Sequence, residues 1–124
     1  MIRIGVDLVD IQKLAQMVAS SGEPFLELAW TPNERKYCAG RIDRFAAHWA
    51  AKEATMKALG AGLGEVDPLD IEVVSAAGKA PDISLCGGAL NLATRVGIER
   101  WGVSLSHEGR MAIAFVIGTG ASNG

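Results

Sequence analysis

The residues able to do chemistry gather in one stretch, residues 41–64, around Trp49-Ala50-Ala51-Lys52-Glu53-Ala54-Thr55-Met56-Lys57. On a helix the spacing i, i+4 stacks side chains into ridges. Two neighbouring ridges arise here, Arg44, His48, Lys52 and Trp49, Glu53, Lys57. Four cationic or titratable groups then surround the single carboxylate of Glu53. Taken alone, this pattern also describes a solvated face with one Glu–Lys pair. Two isolated polar residues lie elsewhere. Asp7 interrupts a β-prone run, where Asp is disfavoured; it is either an edge or capping residue, or a carboxylate held rigidly on a strand to bind a cation. His107 ends an apolar strand pattern, where a histidine commonly sits at the rim of the core and donates one hydrogen bond.

The elements that must position these groups are legible in order. Residues 2–9 alternate, with Ile2, Ile4, Val6 and Leu8 on one face and Arg3, Gly5, Asp7 and Val9 on the other, which predicts a strand. Asp10 can cap a helix from 11 to about 20, with Ile11, Leu14, Ala15 and Val18 inward and Lys13 and Met17 on a more exposed ridge. Residues 25–30 are short and apolar, and their type stays open between helix and irregular. Thr31-Pro32-Asn33-Glu34 is a capping box with Pro at the first helical position, starting a short helix to about 39. Residues 43–59 form the central helix, rich in Ala and closed by Gly60. Gly60, Gly62 and Gly64 are not a phosphate loop, because they follow a helix, where carbonyls and the negative dipole end are free. Strands at 70–75 and 82–86, a helix at 89–96, and strands at 101–107 and 111–117 complete an α+β domain, a small antiparallel sheet packed with helices. The domain spans 1–117, and 118–124 read as a frayed tail.

A chain of 124 residues, 49% hydrophobic and 21% charged, is one globular domain. Its net charge of −2 argues against bulk nucleic-acid binding, so an anionic ligand must be held by a local basic cluster. Cys38 and Cys86 make neither a metal spacing nor a disulfide framework. With no signal peptide and no run of membrane-spanning length, the expectation is a cytoplasmic protein with reduced thiols and no membrane partner.

Three segments line up in order: Gly5-Val6-Asp7-Leu8-Val9-Asp10-Ile11, then Phe45…Trp49-Ala50-Ala51-Lys52-Glu53-Ala54…Lys57-Ala58-Leu59-Gly60, then Val103-Ser104-Leu105-Ser106-His107-Glu108. Over essentially the whole chain, this resembles the holo-acyl-carrier-protein synthase type of 4′-phosphopantetheinyl transferase. The resemblance implies transfer of the phosphopantetheine arm from coenzyme A to a serine of an acyl or peptidyl carrier protein, releasing 3′,5′-ADP, with Mg²⁺. That chemistry needs a metal to neutralise the diphosphate, cations for the leaving phosphate and a base for the hydroxyl. By the resemblance, Asp7 and Glu53 are the metal carboxylates. Lys57 stabilises or protonates the departing phosphate. Arg41, Lys52 and His107 contact coenzyme A or the reacting phosphates. The base stays open among a metal-activated water, Glu53 and His107. Lys13, Met17 and Phe25 match the surface that meets the carrier protein. The resemblance also implies a homotrimer with active sites between subunits.

Two departures carry expectations. Similar proteins usually have Arg where His48 stands, so a neutral imidazole near a phosphate would weaken coenzyme A binding and make it pH-sensitive. After Met17 no arginine occurs before Arg35, so steering of an acidic partner should be weaker, or the partner less acidic. These departures motivate the alternative of a non-catalytic relative that binds coenzyme A or a carrier protein without transferring. Retention of both Asp7 and Glu53 speaks for the enzyme.

Overall fold

The computed structural model describes residues 1–62 and 64–121. In chain order the elements are β1 (Ile2–Asp10), α1 (Ile11–Ser21), α2 (Glu23–Ala29), α3 (Pro32–Cys38), α4 (Ile42–Leu59), a 3-10 turn (Pro68–Asp70), β2 (Ile71–Val74), β3 (Asp82–Leu85), α5 (Gly87–Val96), β4 (Arg100–Glu108) and β5 (Met111–Thr119). β5 lies between β1 and β4 in an antiparallel three-stranded sheet, and β2 pairs with β3 in a separate hairpin. The apolar stretch at 25–30 is helical over most of its length, with Pro24 in the first turn of α2. Gly118 and Thr119, expected to belong to a frayed tail, pair with both β1 and β4, because each neighbouring strand supplies a partner at that register. Residues 122–124 lie outside the described residues.

α4 is the axis of the domain. Ala46, Ala50, Ala51, Ala54 and Ala58 are all buried, and their small side chains let the helix lie directly on β1 and β5. The approach is closest at Gly5, where an added Cβ would fall 1.8 Å from the Ala54 carbonyl oxygen. One core cluster joins α4 to α5, β2 and β5; the other joins it to α1, α2 and α3 around Trp30, whose indole donates to the Phe45 carbonyl at 3.2 Å. The caps read from sequence are in place, with Asp10 accepting from the Lys13 amide and Thr31 and Glu34 forming a reciprocal capping box.

Alternation says which residues share a face, not which face is buried. In β1 the outward face is the apolar one. Ile2, Ile4, Val6 and Leu8 are 48–68% exposed, and across the sheet they continue into Ile113 and Phe115. The inward face carries Gly5, Asp7 and Val9 beside Val116, Ala114 and Ala112. Small residues are needed there because a helix, not a second sheet, covers it.

Candidate active site

Asp7 and Glu53 meet where β1 crosses α4. Asp7 is held by the pleat on the helix-facing side of β1, opposite Ala114, and its side chain is 13% exposed. Lys57, one turn beyond Glu53 on an exposed ridge, donates to the Val6 carbonyl at 2.9 Å and to Asp7 Oδ1 at 3.0 Å. Glu53 is half-buried. Burial pushes its carboxyl pKa up and the neighbouring Asp7 charge adds to the rise, against smaller opposing effects of Lys57 and the Trp49 indole. Two carboxylates in mutual repulsion beside an ammonium group form a site suited to a cation. Among the described residues no third His, Cys, Asp or Glu joins them. A hard divalent cation that keeps several waters and borrows substrate oxygens fits such a pair; one that needs a full protein cage does not.

Glu53 also stands where two grooves meet. One, about 260 Å³, is lined by Lys13, Met17, Phe25 and Trp49 and ends at Glu53. The other, about 150 Å³, runs from Glu53 past Met56 and Lys57 to Ala61 and Gly62. The three partner-facing residues expected from the sequence therefore line one groove together with Glu53.

The remaining candidates lie elsewhere. His48 and Lys52 do not reach this surface: their relative exposures are 1% and 0%. The Lys52 ammonium donates to the Pro68 and Ile71 carbonyls at 2.8 and 2.7 Å and pairs with Glu34. His48 bonds Glu34 through Nδ1 and Ser75 through Nε2, both at 3.0 Å, and stacks on Tyr37. Of the i, i+4 ridge, His48 and Lys52 thus face α3 and β2 and not solvent, unlike the phosphate-facing position expected for them, while Arg44 stays partly exposed. Arg44 donates to the Tyr37 carbonyl and covers the Tyr37 ring. Arg41 is the N-cap of α4 and pairs with Asp43 at 2.8 Å. It precedes Glu53 by twelve residues, about 18 Å of helix. His107 is exposed on β4 opposite Ala112, which in turn faces Val9; two strand spacings, about 10 Å, separate it from β1. A single chain therefore unites Asp7, Glu53 and Lys57 and leaves Arg41 and His107 apart.

Sequence reasoning missed Glu34, read only as a capping residue. Its side chain is fully buried. Burial raises its pKa, but bonds from His48 and the Lys52 charge outweigh that and hold it below the ordinary value. Burial pulls the Lys52 pKa down against the Glu34 charge. No local signal marked Glu34, because the groups it satisfies, His48 and Lys52, come from another element.

The family described as the 4′-phosphopantetheinyl transferase superfamily matches residues 3–116. The holo-[acyl-carrier-protein] synthase of Herpetosiphon aurantiacus is 42% identical over 97% of this chain and 100% of its own length, and that of Gloeobacter violaceus 44% identical over 92% and 89%. Among solved structures, the Helicobacter pylori holo-[acyl-carrier-protein] synthase in complex with coenzyme A superposes with a TM-score of 0.84 at 32% identity, covering 94% of this chain and 99% of that one. The family model and the near full-length relatives, taken with the fold, lead to one conclusion: the chain belongs to the 4′-phosphopantetheinyl transferase superfamily.

Proposed function

We propose that this chain is a holo-[acyl-carrier-protein] synthase that moves 4′-phosphopantetheine from coenzyme A to a serine of an apo acyl or peptidyl carrier protein. The serine oxygen forms a bond to the pantetheine-side phosphorus, the bridging P–O bond breaks, and 3′,5′-ADP leaves. The observation that carries the reading is the Asp7–Glu53 pair with Lys57 at its edge, in a chain whose near full-length relatives bear that name. Asp7 and Glu53 are the residues that would hold Mg²⁺. Bound there, the cation supplies neutralisation of the diphosphate charge. Lys57, free to swing from Asp7 because it is half exposed, is placed to donate to the departing phosphate. The base for the serine hydroxyl is a water on the bound cation or Glu53, with His107 the third candidate.

The carrier protein is assigned to the groove of Lys13, Met17 and Phe25, whose only cationic side chain is Lys13. Such a groove offers an adaptable apolar seat with little electrostatic steering. The exposed face of Ile2, Ile4, Val6, Leu8, Ile113 and Phe115 is the proposed homotrimer interface. A neighbouring subunit is then the source of the Arg41 and His107 that one chain holds away from its own carboxylates. The non-catalytic alternative loses part of its motive, since His48 is buried against Glu34.

The test is intact-mass spectrometry of several apo carrier proteins incubated with this protein, coenzyme A and Mg²⁺. A gain of about 340 Da, the mass of the transferred arm, abolished by EDTA, is expected on at least one. Coenzyme A binding without gain on any carrier would refute the enzyme reading.

A further inference from the structure

Glu34 does more than cap α3. Its carboxylate accepts from the Thr31 amide at 3.0 Å and the Val73 amide at 3.3 Å, from His48 Nδ1 at 3.0 Å, and from the Lys52 ammonium. All four lone-pair directions are used. Lys52 in turn spends its three protons on Glu34, Pro68 and Ile71. One buried node therefore ties two successive turns of α4 to α3, the 3-10 turn and β2. Burying an ion pair is often no better for stability than apolar packing of the same volume. Stability alone does not account for the pair.

Geometry does. Lys52 and Glu53 are adjacent, so their side chains leave α4 about 100° apart. With Lys52 clamped toward β2, Glu53 must emerge toward β1 and Asp7. A helix with its side chains is about 10–12 Å across, so a rotation of about 10° carries a side-chain tip about 1 Å. On the β1 side, backbone contact between Gly5 and Ala54 limits how near the strand lies, but a contact at the helix surface does not stop the helix turning. The charged clamp on the other side does. We infer that Glu34, acting through Lys52, is a positioning residue that sets the rotation of α4 and thereby aims Glu53 at Asp7. This rests on the reading of Asp7 and Glu53 as the metal pair.

The test uses the full chain with Glu34→Gln and Lys52→Met together, which removes both buried charges at once; Lys52→Met alone, which leaves Glu34 its bonds from Thr31, Val73 and His48, is the second variant should the double fail to fold. Two readouts are taken: the crystal structure, for the separation of Glu53 from Asp7, and Mn²⁺ affinity by electron paramagnetic resonance with coenzyme A present. The expected result is a rotated α4, a displaced Glu53 and Mn²⁺ binding weakened about tenfold, the scale of lost outer-shell support at metal sites. An α4 that superposes on the wild type overturns the inference, whatever the metal affinity. Asp7→Asn serves as the separate control. If it leaves Mn²⁺ affinity unchanged, the metal reading fails while the rotation result stands on its own.

Discussion

Replacing Gly5 by alanine tests the contact on which the site is built. The new Cβ would lie 1.8 Å from the Ala54 oxygen, 2.8 Å from the Ala54 carbonyl carbon and 3.1 Å from the Ala58 nitrogen. All three are backbone atoms of α4, so none can turn aside as a side chain would. Carbon–oxygen contacts settle near 3.3 Å or more, so β1 must withdraw by about 1.5 Å. Overpacking of this kind costs about 1–3 kcal/mol, with the upper end expected here. For a domain of this size that lowers Tm by about 10 °C. Asp7 lies two residues along the same strand and moves with it, away from Glu53. Misplacement of about 1 Å in a reacting constellation costs about 100-fold, so kcat should fall about that much at a temperature where the variant is still folded. The assays are thermal unfolding by circular dichroism and the initial rate of carrier-protein modification. Gly88→Ala is the control, since its nearest neighbour is Asp70 at 3.7 Å, and it should stay within about 0.5 kcal/mol of wild type. A Gly5→Ala protein with wild-type Tm and rate would refute the claim that β1 and α4 touch backbone to backbone.

Glu53→Gln should abolish transfer yet raise stability at neutral pH. The raised pKa of Glu53 means that the fold favours its protonated form, so its contribution is stabilising below the unfolded value near 4.5 and is lost as pH rises through the folded value. The Tm advantage of the variant, measured without divalent cations, should appear above that range and vanish below about pH 4; parallel Tm curves for the two proteins would refute the raised pKa that burial and the Asp7 charge give Glu53. His48→Gln should cost about 1–3 kcal/mol through the disturbed bond to the Glu34 carboxylate, with coenzyme A affinity unchanged between pH 6 and 8. A loss of more than about fivefold in calorimetric affinity would return His48 to the ligand. Ile113→Lys places a charge on the apolar outer face, where Ile113 is 37% exposed. Light scattering should then show a shift from the mass of three 13.0-kDa chains toward one, and a single-chain mass for the wild type would refute the trimer.

Local chemistry made much of this protein legible from its residues alone. The capping box at Thr31–Glu34, the Asp10 cap, the Gly60 stop and the alternation of the strands depend on neighbours within a few positions, and each is where the pattern puts it. Asp7, Glu53 and Lys57 could be singled out through the motif order of a known family; alone, a carboxylate in a strand and a Glu–Lys pair one turn apart also describe an edge residue and a solvated face. Burial was not legible. Periodicity grouped Ile2 with Val6 and Arg44 with Lys52, but which group faces inward depends on what packs against it. A sheet covered by an alanine-rich helix buries its small residues and turns its isoleucines out. A helix enclosed by α3, β2 and β5 takes its lysine and histidine inside, where Glu34, from another element, must satisfy them. The sequence determined which groups can do chemistry, because that is a property of side chains and spacing. Only the tertiary structure decided which of them meet, because a desolvated charge goes where a distant partner waits for it.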